Sequence, residues 1–172
     1  MATFGKRALG AAQLKTAIYE EVENDQGATG QAAGVVVLAS IAAGLGAYPS
    51  VSGLIFGVIA GLVAWVIWSY LTWWIGTKWL PEAGTHADPG QLMRTVGFAQ
   101  APGVLLILGI IPALGGLIML AVAIWVLVAV VIAVRQALDY TSTGRAVGVC
   151  LIGWLIQIVI FVILATFARS AM

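Results

Sequence analysis

The sequence predicts an all-α fold, a polytopic transmembrane helix bundle of five spans preceded by an amphipathic helix at the membrane face. Three observations predict it. First, 62% of the 172 residues are hydrophobic and 9% are charged, against roughly 25% charged in soluble domains. So little polar surface cannot cover a core, and lipid must replace water over most of the outside. Second, long apolar runs recur five times. Third, the basic residues gather between alternate runs, as the positive-inside rule expects of a multi-pass chain.

A net charge of +1 leaves no field to draw nucleic acid. Cys150 is the one cysteine, so neither an intramolecular disulfide nor a cysteine-based zinc site is available. Lys6 and Arg7 are followed by no sustained apolar run, so the N-terminus does not read as a cleavable signal peptide.

Residues 1–28 form the expected N-terminal segment. Leu14, Ile18 and Val22 recur every four residues, with Ala11 three before Leu14. That single stripe predicts an amphipathic helix over Ala11–Asn24, lying on the inner membrane face. The stretch "EEVENDQG" follows, with Glu20, Glu21, Glu23 and Asp25, four of the seven carboxylates. Asp25 or Thr29 suits the start of the first span, where the helix dipole is positive. The other three carboxylates stand at the unfavourable C-terminal end of their helix. Lys78, Arg94, Arg135 and Arg145 fall on the same side in the span order. The cluster is therefore read as a docking surface for the inner loops, with metal binding as the weaker alternative.

Residues 29–172 form the expected five-span domain. Apolar runs place the spans at about Gln31–Tyr48, Leu54–Ile75, Phe98–Ile111, Leu114–Val134 and Ala146–Phe167. The second, fourth and fifth are long enough for roughly 30 Å of hydrocarbon at about 1.5 Å per residue. The third is not, since its apolar run reaches only about 21 Å. Started at Leu92 it reaches the length needed, with Arg94 at the boundary, and the hairpin "IIPALGG" carries it into the fourth span. Lys6, Arg7, Lys15, Lys78, Arg94, Arg135 and Arg145 then lie on one side and Arg169 alone on the other. That split predicts a cytoplasmic N-terminus and an external C-terminus in a cell's inner membrane.

Glycine marks packing. Gly53, Gly57 and Gly61 stand four apart in the second span, and Gly30 and Gly34 repeat the spacing in the first. Such stripes let a neighbouring backbone approach, either within the chain or across a dimer face. Trp73, Trp74 and Trp79 read as headgroup-level belt residues. The deeper Trp65 and Trp68 fit packing, or contact with a pigment, quinone or lipid. His86 sits in a Gly/Pro-marked loop and reads as solvated. Gln31, Gln100, Gln157, Ser40, Ser69 and Thr72 are the polar groups within spans; they bond between helices or line a small cavity. No carboxylate falls inside a span, no catalytic constellation appears, and no cofactor or metal is implied.

The stretch "VGFAQAPGVLLILGIIPALGG" carries a Gly–aromatic pair with a proline four residues later, Gly97, Phe98 and Pro102, and a second proline at the hairpin, Pro112. "IWVLVAVVIAVRQAL" with the following "GRAVG" adds Trp125, Arg135 and Arg145. With five spans, these motifs resemble the Ypt/Rab-interacting (YIP) family of membrane proteins, in its bacterial branch, over about residues 15–168. Phe98 stands where the family usually has tyrosine, and the acidic–aromatic motif of its eukaryotic cytosolic region is missing. The resemblance therefore implies a five-span fold rather than Rab binding. The leading functional expectation is a non-enzymatic protein that scaffolds or organises membrane components, or serves as an accessory subunit of a larger complex. Its partners are the lipid bilayer and other membrane proteins or a second copy. The alternative is a small-molecule handler, with a lipid, quinone or pigment site, or a minor transporter, between the second and fifth spans.

Overall fold

A computed structural model describes residues 2–47, 51–111 and 113–170. Every regular element among them is helical. The order is α1 (Phe4–Ala12), α2 (Thr16–Asn24), α3 (Ala28–Ala47), α4 (Val51–Trp74), a π-helical turn (Ile75–Trp79), α5 (Pro89–Phe98), a 3₁₀ helix (Ala101–Ile110), α6 (Gly115–Ala137) and α7 (Thr143–Ser170). Five of these units are long and apolar enough to cross a membrane: α3, α4 with its π-turn, α5 with the 3₁₀ helix, α6, and α7. Of the expected span boundaries, Tyr48 lies outside the described residues.

The single N-terminal helix expected over Ala11–Asn24 is two helices. α1 closes at Gln13, and Leu14 turns the chain at φ 61°. The Lys15 N–H then reaches back to the Gly10 carbonyl and the Leu14 N–H to that of Ala11, the paired bonds of a Schellman end. Leucine is a poor residue for that conformation, so the turn leaves no mark in the sequence. Two short helices result instead of one long one, and α1 folds back beside α2 and the start of α3. Ala11, Tyr19 and Val22 share one core with Leu92, Val96 and Phe98 of α5 and with Ala129, Ala133 and Ala137 of α6. The N-terminal helices are thus built into the bundle.

The third crossing starts three residues before Leu92, at Pro89, where nothing in the apolar pattern begins. Asp88 caps it: its Oδ1 accepts the Gln91 N–H at 3.0 Å while the Gln91 side-chain oxygen accepts the Asp88 N–H at 2.7 Å. This reciprocal box fixes the helix start independently of hydropathy. After Phe98 the winding tightens to 3₁₀. At about 2.0 Å per residue the ten residues Ala101–Ile110 reach about 20 Å, where an α-helix would reach about 15 Å. The tighter winding supplies the length that the short apolar run lacks.

Large apolar side chains point outward on α4, α6 and α7, among them Ile55, Phe56, Ile59, Leu117, Leu120, Leu155 and Ile158. In lipid their exposure carries no hydrophobic cost, so close fit and hydrogen bonds decide which faces meet.

Candidate functional site

Polar chemistry is concentrated at one end of the bundle. Arg7, read above only as a flanking charge, is its centre. Its side chain is 1% exposed, and each guanidinium nitrogen donates. Nε and Nη2 bond Glu21 Oε1 at 3.1 and 2.9 Å, Nη2 bonds Asp25 Oδ2 at 2.7 Å, and Nη1 bonds Gln31 Oε1 at 3.1 Å. One residue therefore ties α1 to α2, to the α2–α3 link and to α3. The Ala2 N–H and then the Arg7 guanidinium hold the Glu21 carboxyl below its usual range, and Arg7 does the same for Asp25. Asp25 also accepts the Gly27 N–H at 3.0 Å, closing a turn just before α3.

The sequence reading is corrected in its partners. The carboxylates were expected to dock onto Lys78, Arg94, Arg135 and Arg145. Arg94 instead donates to the carbonyls of Val22 and Glu23. It brings positive charge to the negative C-terminal end of α2, where the acidic residues had seemed uncompensated. Arg135 donates to the Tyr140 and Thr141 carbonyls, both at 3.2 Å. Arg145 donates to the Pro81 carbonyl at 2.7 Å and pairs with Glu82 at 3.5 Å, while Lys78 is exposed. Glu20 and Glu23 do reach the neighbouring helices, but through amides: Gln136 Nε2 donates to Glu20 and Gln91 Nε2 to Glu23, each at 2.9 Å.

Glu23 is the unusual member. Burial pushes its carboxyl up to about 7, helped by nearby Asp139 and opposed by Arg94. It faces a recess of about 520 Å³ with Glu20, Gln91, Arg135, Asp139 and Tyr140. Asp139 itself closes α6 at φ 53°, with the Tyr140 N–H bonded to the Arg135 carbonyl at 2.9 Å.

A second tie, absent from the sequence reading, links α4 to α7. The Tyr140 hydroxyl donates to the carbonyls of Gly76, in the π-turn, and Leu80, just after it, at 2.9 and 2.7 Å. Glu82 accepts the Thr141 N–H and hydroxyl, at 2.9 and 2.7 Å. These bonds, the hydroxyl's above all, keep its carboxyl low.

The motif residues divide by what they touch. Gly97 is the tightest point of the third crossing: a Cβ there would stand 2.7 Å from that of Ala32 and 3.0 Å from Trp65 Nε1. Phe98 and Pro102 are buried beside it, and Trp125 Nε1 donates to the Ala12 carbonyl at 2.8 Å. Pro112 lies outside the described residues. The glycine stripe does not form one seam. A Cβ on Gly61 would collide with the Ser40 hydroxyl, one on Gly34 would just touch Phe4, and one on Gly30 or Gly57 would meet nothing within 4 Å. A four-residue step turns roughly 40° on a helix of 3.6 residues per turn, so the stripe winds off the α3 contact. The Gly53 backbone lies on the same helix, exposed.

Midway along the bundle lies a cavity of about 800 Å³, bounded by α3, α4, α5 with its 3₁₀ helix, α6 and α7. Ser40, Trp65, Trp68, Gln100, Trp154 and Gln157 are on its wall, and no charged residue among the described ones is. Trp65 is anchored by its N–H to the Met93 carbonyl at 2.9 Å. Trp68 and Trp154 stack, with ring centroids 6.1 Å apart.

A family model, that of the Yip1 domain, matches residues 17–164. No curated protein and no solved structure matches the chain.

Proposed function

The chain belongs to the Yip1 domain family, and from that premise we propose that it is a non-enzymatic integral membrane protein that organises other membrane components by helix–helix contact. It is a multi-pass protein, and its bilayer contact follows from five apolar helices. The reading adds that the charged end faces the cytoplasm of a cell whose inner membrane holds the protein, with residues 1–28 as its cytoplasmic segment and residues 29–172 as the spanning domain. The one-sided distribution of the basic residues supports this orientation.

The observation that carries the reading is the outer face of α4. Gly57 has no neighbour within 4 Å of a would-be Cβ, and Gly53 and Ala60, which share its face at helical spacing, are exposed. Lipid gives no hydrophobic reward for joining helices, so a face of small residues is the surface that allows close backbone contact. A partner spanning helix fits it.

The test is purification in mild detergent with identification of whatever accompanies the protein. A cysteine at Ala60, on the Gly57 face, in a Cys150→Ala background, should crosslink to the partner. Gly57→Leu should abolish both signals while leaving the purified chain as heat-resistant as before. Unchanged association in that variant would remove α4 as the contact face.

A further inference from the structure

We propose that the mid-membrane cavity binds a neutral, lipid-soluble quinone ring, held by side-chain donors near the centre of the bilayer. Ser40, Gln100 and Gln157 line the cavity, and no side-chain hydrogen bond occupies any of them among the described residues. The indole N–H groups of Trp68 and Trp154 likewise have no protein partner there, although Trp68 is 9% exposed. Every fully buried side-chain nitrogen and oxygen among the described residues is satisfied, so these unsatisfied atoms are open to the space beside them. In hydrocarbon an unpaired polar group costs several kcal/mol. Five such groups around one cavity contrast with Arg7, Glu21 and Asp25, which bond one another at the charged end.

Their chemistry defines the ligand. Indole N–H only donates, and the amides and hydroxyl donate as well as accept. The set has an excess of donors, so the complement carries acceptor oxygens. No charged residue among the described ones lines the wall, so the complement is neutral. Ser40, Gln100 and Gln157 fall near the middle of Ala28–Ala47, Pro89–Ile110 and Thr143–Ser170. At that depth the ester carbonyls of a diacyl lipid are about 15 Å away, at the edge of the hydrocarbon layer. A quinone brings two carbonyl acceptors on a flat neutral ring that resides in hydrocarbon. The stacked Trp68 and Trp154 offer that ring an aromatic wall, and about 800 Å³ is the size of an ordinary small-ligand site. The site stands whether or not α4 joins a partner.

The full chain is placed in nanodiscs of synthetic phosphatidylcholine and titrated with a short-tailed benzoquinone, following tryptophan quenching and bound quinone by dialysis against empty nanodiscs. Saturable uptake of one quinone per chain is expected. Gln100→Leu and Gln157→Leu should each weaken it roughly three- to tenfold, while Ala123→Trp, which fills the cavity and keeps both amides, should abolish it. Without quinone, the leucine variants should melt at or above the parent temperature, because each removes an unpaired amide. Diacylglycerol at equal concentration should not compete. Uptake that is unsaturable, or equal in parent and Ala123→Trp, overturns the proposal. Equally strong competition by diacylglycerol overturns it too, and assigns the cavity to acyl chains.

Discussion

The charged end and the middle of the bundle solve the same problem in opposite ways. At the end, Arg7 satisfies partners on α2, the α2–α3 link and α3, Arg94 satisfies two carbonyls of α2, and Tyr140 those of Gly76 and Leu80, while Glu20, Glu21, Glu23 and Asp25 are covered by guanidinium, amide or backbone N–H groups. In the middle, the amides of Gln100 and Gln157 face an apolar cavity without a protein partner. Water is cheap at the end and absent in the middle, so satisfaction is least needed where it is most complete. The polar network reads as the structural part, and the unsatisfied centre as the part left free to bind.

The comparison breaks most sharply at Arg7. Arg7→Met keeps the apolar stem, removes the guanidinium and strands Glu21 and Asp25 without their cation. Removing one partner of a fully buried pair costs about 3–5 kcal/mol, and the partial exposure of Glu21 keeps this loss below that range. Limited proteolysis should then cut at Lys15 with α3–α7 still protected. A Lys15 site as resistant as in the parent would show that apolar contacts alone hold α1.

Next in size is Gly97. Gly97→Leu drives atoms into Ala32 and Trp65, for roughly 1–3 kcal/mol or more, seen as a lower melting temperature in detergent. Gly57→Leu should leave that temperature unchanged, and equal losses would put Gly57 in a seam within the chain.

Tyr140→Phe is smaller. It removes one hydroxyl from the Gly76 and Leu80 carbonyls, for about 1 kcal/mol, and amide exchange over Ile75–Leu80 should quicken. Exchange unchanged there would mean that the π-turn holds without that hydroxyl.

The pH dependence has a definite sign. Glu23 titrates at about 7 in the folded chain against 4.5 for the ordinary side chain. The folded state thus binds the proton more tightly, and stability falls as pH rises from about 4.5 to about 7, then levels. Glu23→Gln should flatten that fall in a series of melts. Glu21 and Asp25, whose carboxyls are held low, act oppositely: their contribution is present at neutral pH and is lost on acidification through their folded values. A steeper fall between pH 4.5 and 7 in Glu23→Gln would place the titrating group elsewhere.

The fold was legible because lipid demands long apolar runs, and five of them survive any error of boundary. The charged end was legible in place but not in pairing. Arg7 is one cation among three near the N-terminus, and only the turn at Leu14, which has no glycine or proline to announce it, brings it onto Glu21. Arg94 is visible as a cation near a span end, yet its partners are carbonyls, which every residue carries. The glycine spacing was read as one stripe, whereas the true contacts at Gly61 and Gly97 depend on what faces them from Ser40, Ala32 and Trp65. Gln100 and Gln157 were visible as intramembrane amides, but that they share a cavity is a fact of helix arrangement alone.

The 3₁₀ helix carries a mechanical consequence. Each residue rewound from 3₁₀ to α draws its end in by about 0.5 Å, so Ala101–Ile110 holds about 5 Å of travel. The rewinding would also turn Leu106 and Gly103 about the axis, and both lie on the cavity wall. Axial length and the shape of the interior are therefore coupled in one segment, as thread and advance are coupled in a screw.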